Sequence, residues 1–296
     1  MRKTLTKIRR IGIIQSKPSE FARGNMEIDI RPMASHAEFF ECVRMQKETW
    51  GPGTIEIVPP ILLIVANKIG GLAAGAFDDS NNMVGFVLSF AGFFNGKTIN
   101  WSKMMAVRKD YRDKGLGHRL KLYQREHLLT HDIDYVYWTY DPLVARNAHL
   151  NINKLGVTIF QYAVKMYPDE TGSSLQQGMP LDRFIVEWSL QDDRVLRAIR
   201  VGLQPQSTTY DKLSIVNTER GADNLPAPVD KVLPRVGKVR IEIPLDIEVI
   251  QSRRDGMANR WRLNTRRAFQ HYLAAGYRVE TFYREAGRCF YVLSNL

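Results

Sequence analysis

MMAVRKDYRDKGLGHRL, residues 104–120, opens apolar with Met104-Met105-Ala106-Val107 and turns charged from Arg108 to Lys114. It then passes through Gly115-Leu116-Gly117 into a run with helical spacing: Leu116, Leu120, Tyr123 and His127, with Leu128 beside it. The pattern predicts strand, tight loop, helix, the loop being Arg112-Asp113-Lys114-Gly115-Leu116-Gly117. The first turn of a helix carries unpaired backbone N–H groups and the positive end of the macrodipole. Glycines let that backbone approach an anion without a Cβ in the way. A phosphate or diphosphate can settle there, with Arg112 and Lys114 adding charge. The plain alternative is a basic connection that binds nothing.

Neither common nucleotide loop fits. A Walker loop needs G-x-x-x-x-G-K-[ST], which is absent, and a dinucleotide fingerprint would need glycine where Leu120 stands. The pattern [QR]-x-x-G-x-[GA], after a strand ending in A-V and before an amphipathic helix, resembles motif A of the GNAT acyltransferase superfamily. The matching residues are Ala106, Val107, Tyr111, Arg112, Gly115, Leu116, Gly117 and Leu120. The resemblance implies acetyl-CoA or another acyl-CoA as cofactor, its diphosphate on the loop. The implied contacts are Met105, Ala106, Val107, Arg112, Asp113, Lys114, Gly115, Leu116, Gly117, His118 and Asn147.

Composition bounds the rest. The 296 residues suit one large domain or two small ones, and 44% hydrophobic content is ample for a core. Two cysteines, Cys42 and Cys289, make no disulfide framework and no metal pattern; one bridge between them stays open, and a reduced, cytoplasmic protein is the simpler expectation. The longest apolar run, Ile61 to Phe77, is interrupted by Asn67 and Lys68 and is shorter than the ~20 residues of a membrane span. Of the net charge of +11, much lies in residues 1–25, a basic, turn-rich stretch expected to be a poorly ordered extension. No basic stripe with interleaved aromatics argues for nucleic acid.

The chain then predicts a strand at 26–31, a helix from Pro32 to Trp50 with Ser35 as cap, and a short helix from Ile61 to Ile69. Strands follow at about 71–77, 83–93 and 98–107, then the motif-A helix to His131. A strand from Asp134 to Tyr140, a helix from Val144 to Leu155 closed by Gly156, and strands at about 157–167 and 183–190 complete the first part. This order is the one the resemblance implies: an α/β (α+β) GNAT fold with a mixed, mainly antiparallel sheet whose fourth and fifth strands run parallel and splay apart. The expected domain is 26–190. A connection over 191–236 holds a short helix, Asp193 to Val201, and a C-terminal βαββ extension spans 237–296, which either extends the sheet or makes a second lobe. Its helix, Met257 to Ala275, shows a basic face from Arg260, Arg262, Arg266 and Arg267.

Residues 138–156, WTYDPLVARNAHLNINKLG, are the second informative stretch. In many GNAT enzymes the helix here reads N-x-x-A-x-x-x-Y-x-x-x-G-F, its Tyr protonating the departing thiolate. Aligned on Gly156, Ala148 matches the Ala, Ile152 stands on the Tyr and Ala145 on the Asn. The usual acid is therefore missing, or a neighbour such as Asn151 or Tyr140 replaces it. The wider string, with Asp182-Arg183, Val186-Glu187-Trp188 and the Trp261 to Tyr277 stretch, resembles a bacterial branch of the superfamily carrying WT(F/Y)DPL…RNA…KLG. That branch often has histidines just before the A-V, where this chain has Trp101-Ser102-Lys103.

Acyl transfer to an amine needs a base, oxyanion donors and an acid for the thiolate. Candidate bases are Asp141, Glu48 and Glu187, with Asn151 a further catalytic candidate; the plain role of each acid is a cap or a solvated charge. Arg146 and Arg183 could clamp a carboxylate by bidentate bonding, an ion pair being the alternative, and Trp138 could line the cleft. The histidines show no metal spacing except His127-x-x-x-His131, which lacks the accompanying Glu, so no metal is expected. The expected function is an acyl-CoA-dependent N-acyltransferase, using acetyl- or succinyl-CoA, that acts on a small amine or amino acid by direct attack. Its partners would include neither nucleic acid nor membrane; a homodimer is admitted but not required. The alternative is a non-catalytic CoA-binding or interaction protein on the same fold.

Overall fold

The computed structural model describes residues 27–168, 179–203, 205, 209–221 and 225–295, so the basic extension expected over 1–25 lies outside the described residues. The chain opens with β1 (Asp29–Pro32), α1 (His36–Trp50) and α2 (Pro60–Lys68). Helix α1 begins later than the Pro32 expected. Its start is set by Ser35, whose hydroxyl accepts from the Glu38 amide while the Glu38 carboxylate accepts from the Ser35 amide. A meander follows: β2 (Leu72–Phe77), β3 (Met83–Phe94) and β4 (Lys97–Val107). Then come α3 (Leu116–Leu129), β5 (Tyr135–Tyr140), α4 (Ala145–Ala148), β6 (Thr158–Ala163) and β7 (Arg183–Ser189).

The seven strands form one sheet in the order β1-β2-β3-β4-β5-β7-β6. Every neighbouring pair is antiparallel except β4 and β5, which run parallel. Alternation along the strands gives the sheet two apolar faces. One takes α1 and α2, with Phe39, Cys42, Met45 and Leu63 packed on Phe86, Leu88, Met104 and Ala106. The other takes α3, with Leu116 and Leu120 on Leu72, Ala74, Val84 and Val87.

The expected α-helix from Val144 to Leu155 is α-helical only over α4; a π-helical stretch, His149–Lys154, follows. It is held from two sides, since Asn151 accepts from the Trp138 indole of the first sheet and Asn153 donates to the Phe282 carbonyl.

Beyond β7 lie α5 (Asp193–Val201), the ribbon β8 (Thr218–Arg220) and β9 (Pro226–Pro228), then β10 (Lys238–Ile243), α6 (Ile247–Ser252), α7 (Met257–Ala274), β11 (Arg278–Glu285) and β12 (Arg288–Ser294). The ribbon and α6 escape the sequence reading. The tail makes a second sheet, β10-β12-β11, and does not extend the first. Its central strand is buried from Cys289 to Ser294, so side chains of both faces need cover. The first sheet supplies part of it: Phe184 meets Tyr291 with ring centroids 5.8 Å apart, and Tyr140 meets Tyr291 through their hydroxyls.

Candidate active site

Strands β4 and β5 pair at only two positions, Asn100 with Val136 and Trp101 with Tyr137. Beyond them β4 stays on β3 as far as Val107 and β5 stays on β7 as far as Tyr140, so the two strands part into a V. The backbone groups lining the V lack a strand partner and can serve an extended ligand as another strand would. Near the vertex β4 carries a bulge: Leu88 faces Met104 and Ser89 faces Ser102, leaving Lys103 as the extra residue.

The glycine loop stands at the open end of the V, between β4 and α3. Gly115 is the N-cap of α3 in the left-handed region (φ +77°), a conformation glycine adopts without strain, and no side chain caps the helix. Among the described residues a Cβ built on Gly115 would meet nothing within 4 Å, and Gly115 itself is exposed. The Arg112 Nε donates to the Val107 carbonyl at 2.9 Å and ties the loop to the strand end. Asp113 and Lys114 are exposed, and the Lys114 ammonium lies 5.7 Å from the Tyr111 ring. His118, one turn on, is half-buried, and burial holds its pKa below the ordinary range. Met105 and Val107 turn to the α3 face and Ala106 to the α1 face.

The other candidates fall in different places. Glu48 pairs with Arg108 at 3.0 Å, beyond the open end of β4. Arg146 is exposed and paired with Glu248 of α6; Asn147 is half-buried at the start of α4. Asp141, just past β5, is clasped by two guanidiniums: Arg262, fully buried on α7, donates to it, and Arg183 lies 3.6 Å away. Burial opposes its charge, but Arg262 and Arg183 outweigh burial and hold its pKa below the usual carboxylate range. Asp182 takes Arg266 in a bidentate pair at 2.7 and 2.8 Å. Half of the basic face of α7, Arg262 and Arg266, is thus spent on internal carboxylates while Arg260 and Arg267 stay exposed, a division the sequence reading did not foresee.

Two groups flank the vertex. On the α1 side, Tyr137 donates to Glu187, and its ring packs on Phe94 and Phe160. Burial and Glu187 both push the Tyr137 pKa up. Thr139 and Tyr167 share a hydrogen bond at 3.1 Å on the same side. On the α3 side, Trp138 is buried against Trp188 and bonded to Asn151. Lys121 lies there too, its ammonium 3.8 Å from the Trp138 ring centroid. Sequence reading missed Lys121, although Lys121, Gln124 and Leu128 recur at helical spacing on the face that α3 buries. Cys42 and Cys289 are free thiols buried in separate clusters, which settles the open question of a bridge.

Among the described residues no group of three or more His, Cys, Asp or Glu is placed to hold a metal, and no helix is long and apolar enough to cross a membrane. No family model matches the chain, and no curated protein does. Several solved structures are similar over part of it. The ribosomal-protein-S18-alanine N-acetyltransferase from Escherichia coli is 13% identical, with 56% of this chain and 96% of that one covered at a TM-score of 0.44. An acetyltransferase of the GNAT family from Streptococcus pneumoniae is 16% identical, with coverages of 54% and 98% and a TM-score of 0.43. A GNAT family N-acetyltransferase from Escherichia coli in complex with CoA is 15% identical, with coverages of 60% and 88% and a TM-score of 0.38. At these identities and scores nothing further follows from the likeness. The chain's own strand order, its parallel β4–β5 pair and the uncapped glycine turn ahead of α3 are the arrangement that the motif-A resemblance implied.

Proposed function

We propose that the chain is an acyl-CoA-dependent N-acyltransferase acting on a small amine or amino acid, with residues 26–190 as the catalytic unit and 237–296 as a lobe packed on it. The observation that carries this reading is the open, uncapped turn at Gly115 standing at the mouth of the V. The diphosphate would rest on the amides from Asp113 to His118, beside Lys114 and Arg112. From Val107 back to Ser102 the V is about 17 Å deep, at ~3.3 Å per strand residue. A pantetheine arm has about 13 chain bonds and stretches to roughly 15 Å, at ~3.5 Å per three bonds of an extended chain. The thioester would therefore come close to the vertex.

The acceptor would approach from the α1 side. Of the three candidate bases, Glu187 is the one bonded to Tyr137, a member of the last β4–β5 pair; Asp141 is committed to two arginines and Glu48 to Arg108. Glu187 would take the proton of the attacking amine, with Tyr137 orienting its carboxylate. Unpaired N–H groups of β4 beyond Ser102 would stabilise the oxyanion. Arg183, close to the Tyr167 ring (5.5 Å), would meet a carboxylate on the acceptor or on a succinyl group.

Thermal-shift titration with acetyl-CoA and succinyl-CoA tests the reading. The wild type should be stabilised and the Gly117→Trp variant should not, because the indole would fill the cradle. A wild type indifferent to every acyl-CoA refutes the reading. The second reading, a CoA-binding protein without turnover, draws on the buried, apolar Ile152 where many GNAT enzymes have tyrosine. Thiol release with a panel of amines separates the two.

A further inference from the structure

We infer that Lys121 is the acid that protonates the departing thiolate, reaching the vertex of the V from the α3 side; this rests on the acyl-CoA reading above. Ser102 and Trp138 are the first residues on the two strands after their last pair. The Lys121 ammonium donates to the Ser102 hydroxyl at 2.8 Å and stands 3.8 Å over the Trp138 ring. It touches one residue from each wall and so lies at the point where the strands begin to part. Its third near partner is the Gln124 carboxamide oxygen at 3.0 Å.

Space-filling does not explain a lysine here, since leucine or methionine would fill the same volume without a charge. The side chain is 3% exposed, and among the described residues it makes no ion pair. Ser102 of β4, Trp138 of β5, Trp188 of β7 and Gln124 of α3 face it, and none is charged. Burial alone lowers its pKa to about 7. A free thiol titrates near about 8.5, so proton transfer from this ammonium to a thiolate runs downhill, whereas an ordinary lysine near about 10.4 would keep its proton.

The step balances. The amine nitrogen bonds to the carbonyl carbon and its proton passes to Glu187. The C–S bond breaks with its electron pair going to sulfur, and sulfur takes a proton from Lys121. Solvent removes the proton from Glu187 and returns one to Lys121.

The test uses the full chain, with Lys121→Met and Lys121→Gln as variants, and two donors of the same shape: acyl-CoA and its selenoester analogue, whose selenol is more acidic and needs no acid to leave. The expected loss in kcat is about 100-fold on the thioester and under about fivefold on the selenoester, in line with the usual contribution of an acid catalyst. In the wild type the thioester rate should fall as pH rises through about 7, and in the variants that limb should be absent. A second readout needs neither variant nor turnover. The ¹⁵N-detected titration of Lys121 should shift when CoA binds and stay in place with desulfo-CoA. Equal losses on both donors, or identical titrations with the two ligands, overturn the assignment while a CoA-dependent rise in melting temperature keeps the parent reading. A wild type with no such rise removes both.

Discussion

Lysine 121 should cost the fold stability, and Lys121→Met should recover some of it. A fall from 10.5 to about 7, at about 1.4 kcal/mol per unit, puts the upper limit of the burial penalty near 5 kcal/mol. The substitution also removes the two bonds that the ammonium donates, although Ser102 and Gln124 keep each other as partners at 3.3 Å, at a cost of about 1–2 kcal/mol for each bond lost. The expected net gain at pH 7 is about 1–3 kcal/mol, or a melting temperature higher by roughly 5 °C for a chain of this size. The pH dependence follows from the direction of the shift. Between about pH 7 and 10.4 the unfolded lysine holds a proton that the native one has released, so the wild type gains stability from this site as pH rises through that window. The methionine variant has no such dependence, and its advantage should shrink by about pH 9.5. Urea unfolding of both proteins at several pH values measures it. A variant less stable than the wild type at pH 7, or a gap that does not change with pH, refutes the reasoning.

Three further outcomes rest on other parts of the fold. Asp141→Ala strands the fully buried Arg262 and should cost about 3–5 kcal/mol, whereas Asp141→Leu combined with Arg262→Met should recover most of the loss in chemical denaturation. Because the native pKa of Asp141 is lowered, its contribution is full above the unfolded value near about 3.9 and is lost as pH falls further; the Asp141→Ala gap should narrow in acid. Gly156→Ala should cost more than about 2 kcal/mol, since φ is +70° and a Cβ would lie 2.9 Å from the Arg194 carbonyl and 3.0 Å from the Val195 Cα. The thiols of Cys42 and Cys289, pushed up by burial to about 12 and about 11, should resist aromatic disulfide reagents in the native protein and react on unfolding, as absorbance would report.

What could be read from the chain before folding was the chemistry that neighbours in sequence decide. The glycine turn before α3, Ser35 as the cap of α1 and the bounds of α5 depend on residues within a turn of one another, and all three stand as read, although α1 starts at His36 and not at Pro32. The parallel β4–β5 pair rested on the motif resemblance, and the strand order bears it out. Local pattern could not say whether the tail joins the first sheet, because that depends on which faces of β12 find cover. Nor could it show that Arg262 and Arg266 of α7 are turned inward: Arg262 meets a carboxylate 121 positions away. Glu187 is one of three candidate bases with nothing local to favour it, and Lys121 is an ordinary surface residue by composition. Glu187 comes beside Tyr137 because β7 pairs with β5, Lys121 lies by Ser102 and Trp138 because α3 packs under the parting strands, and both depend on contacts that exist only once the sheet has formed.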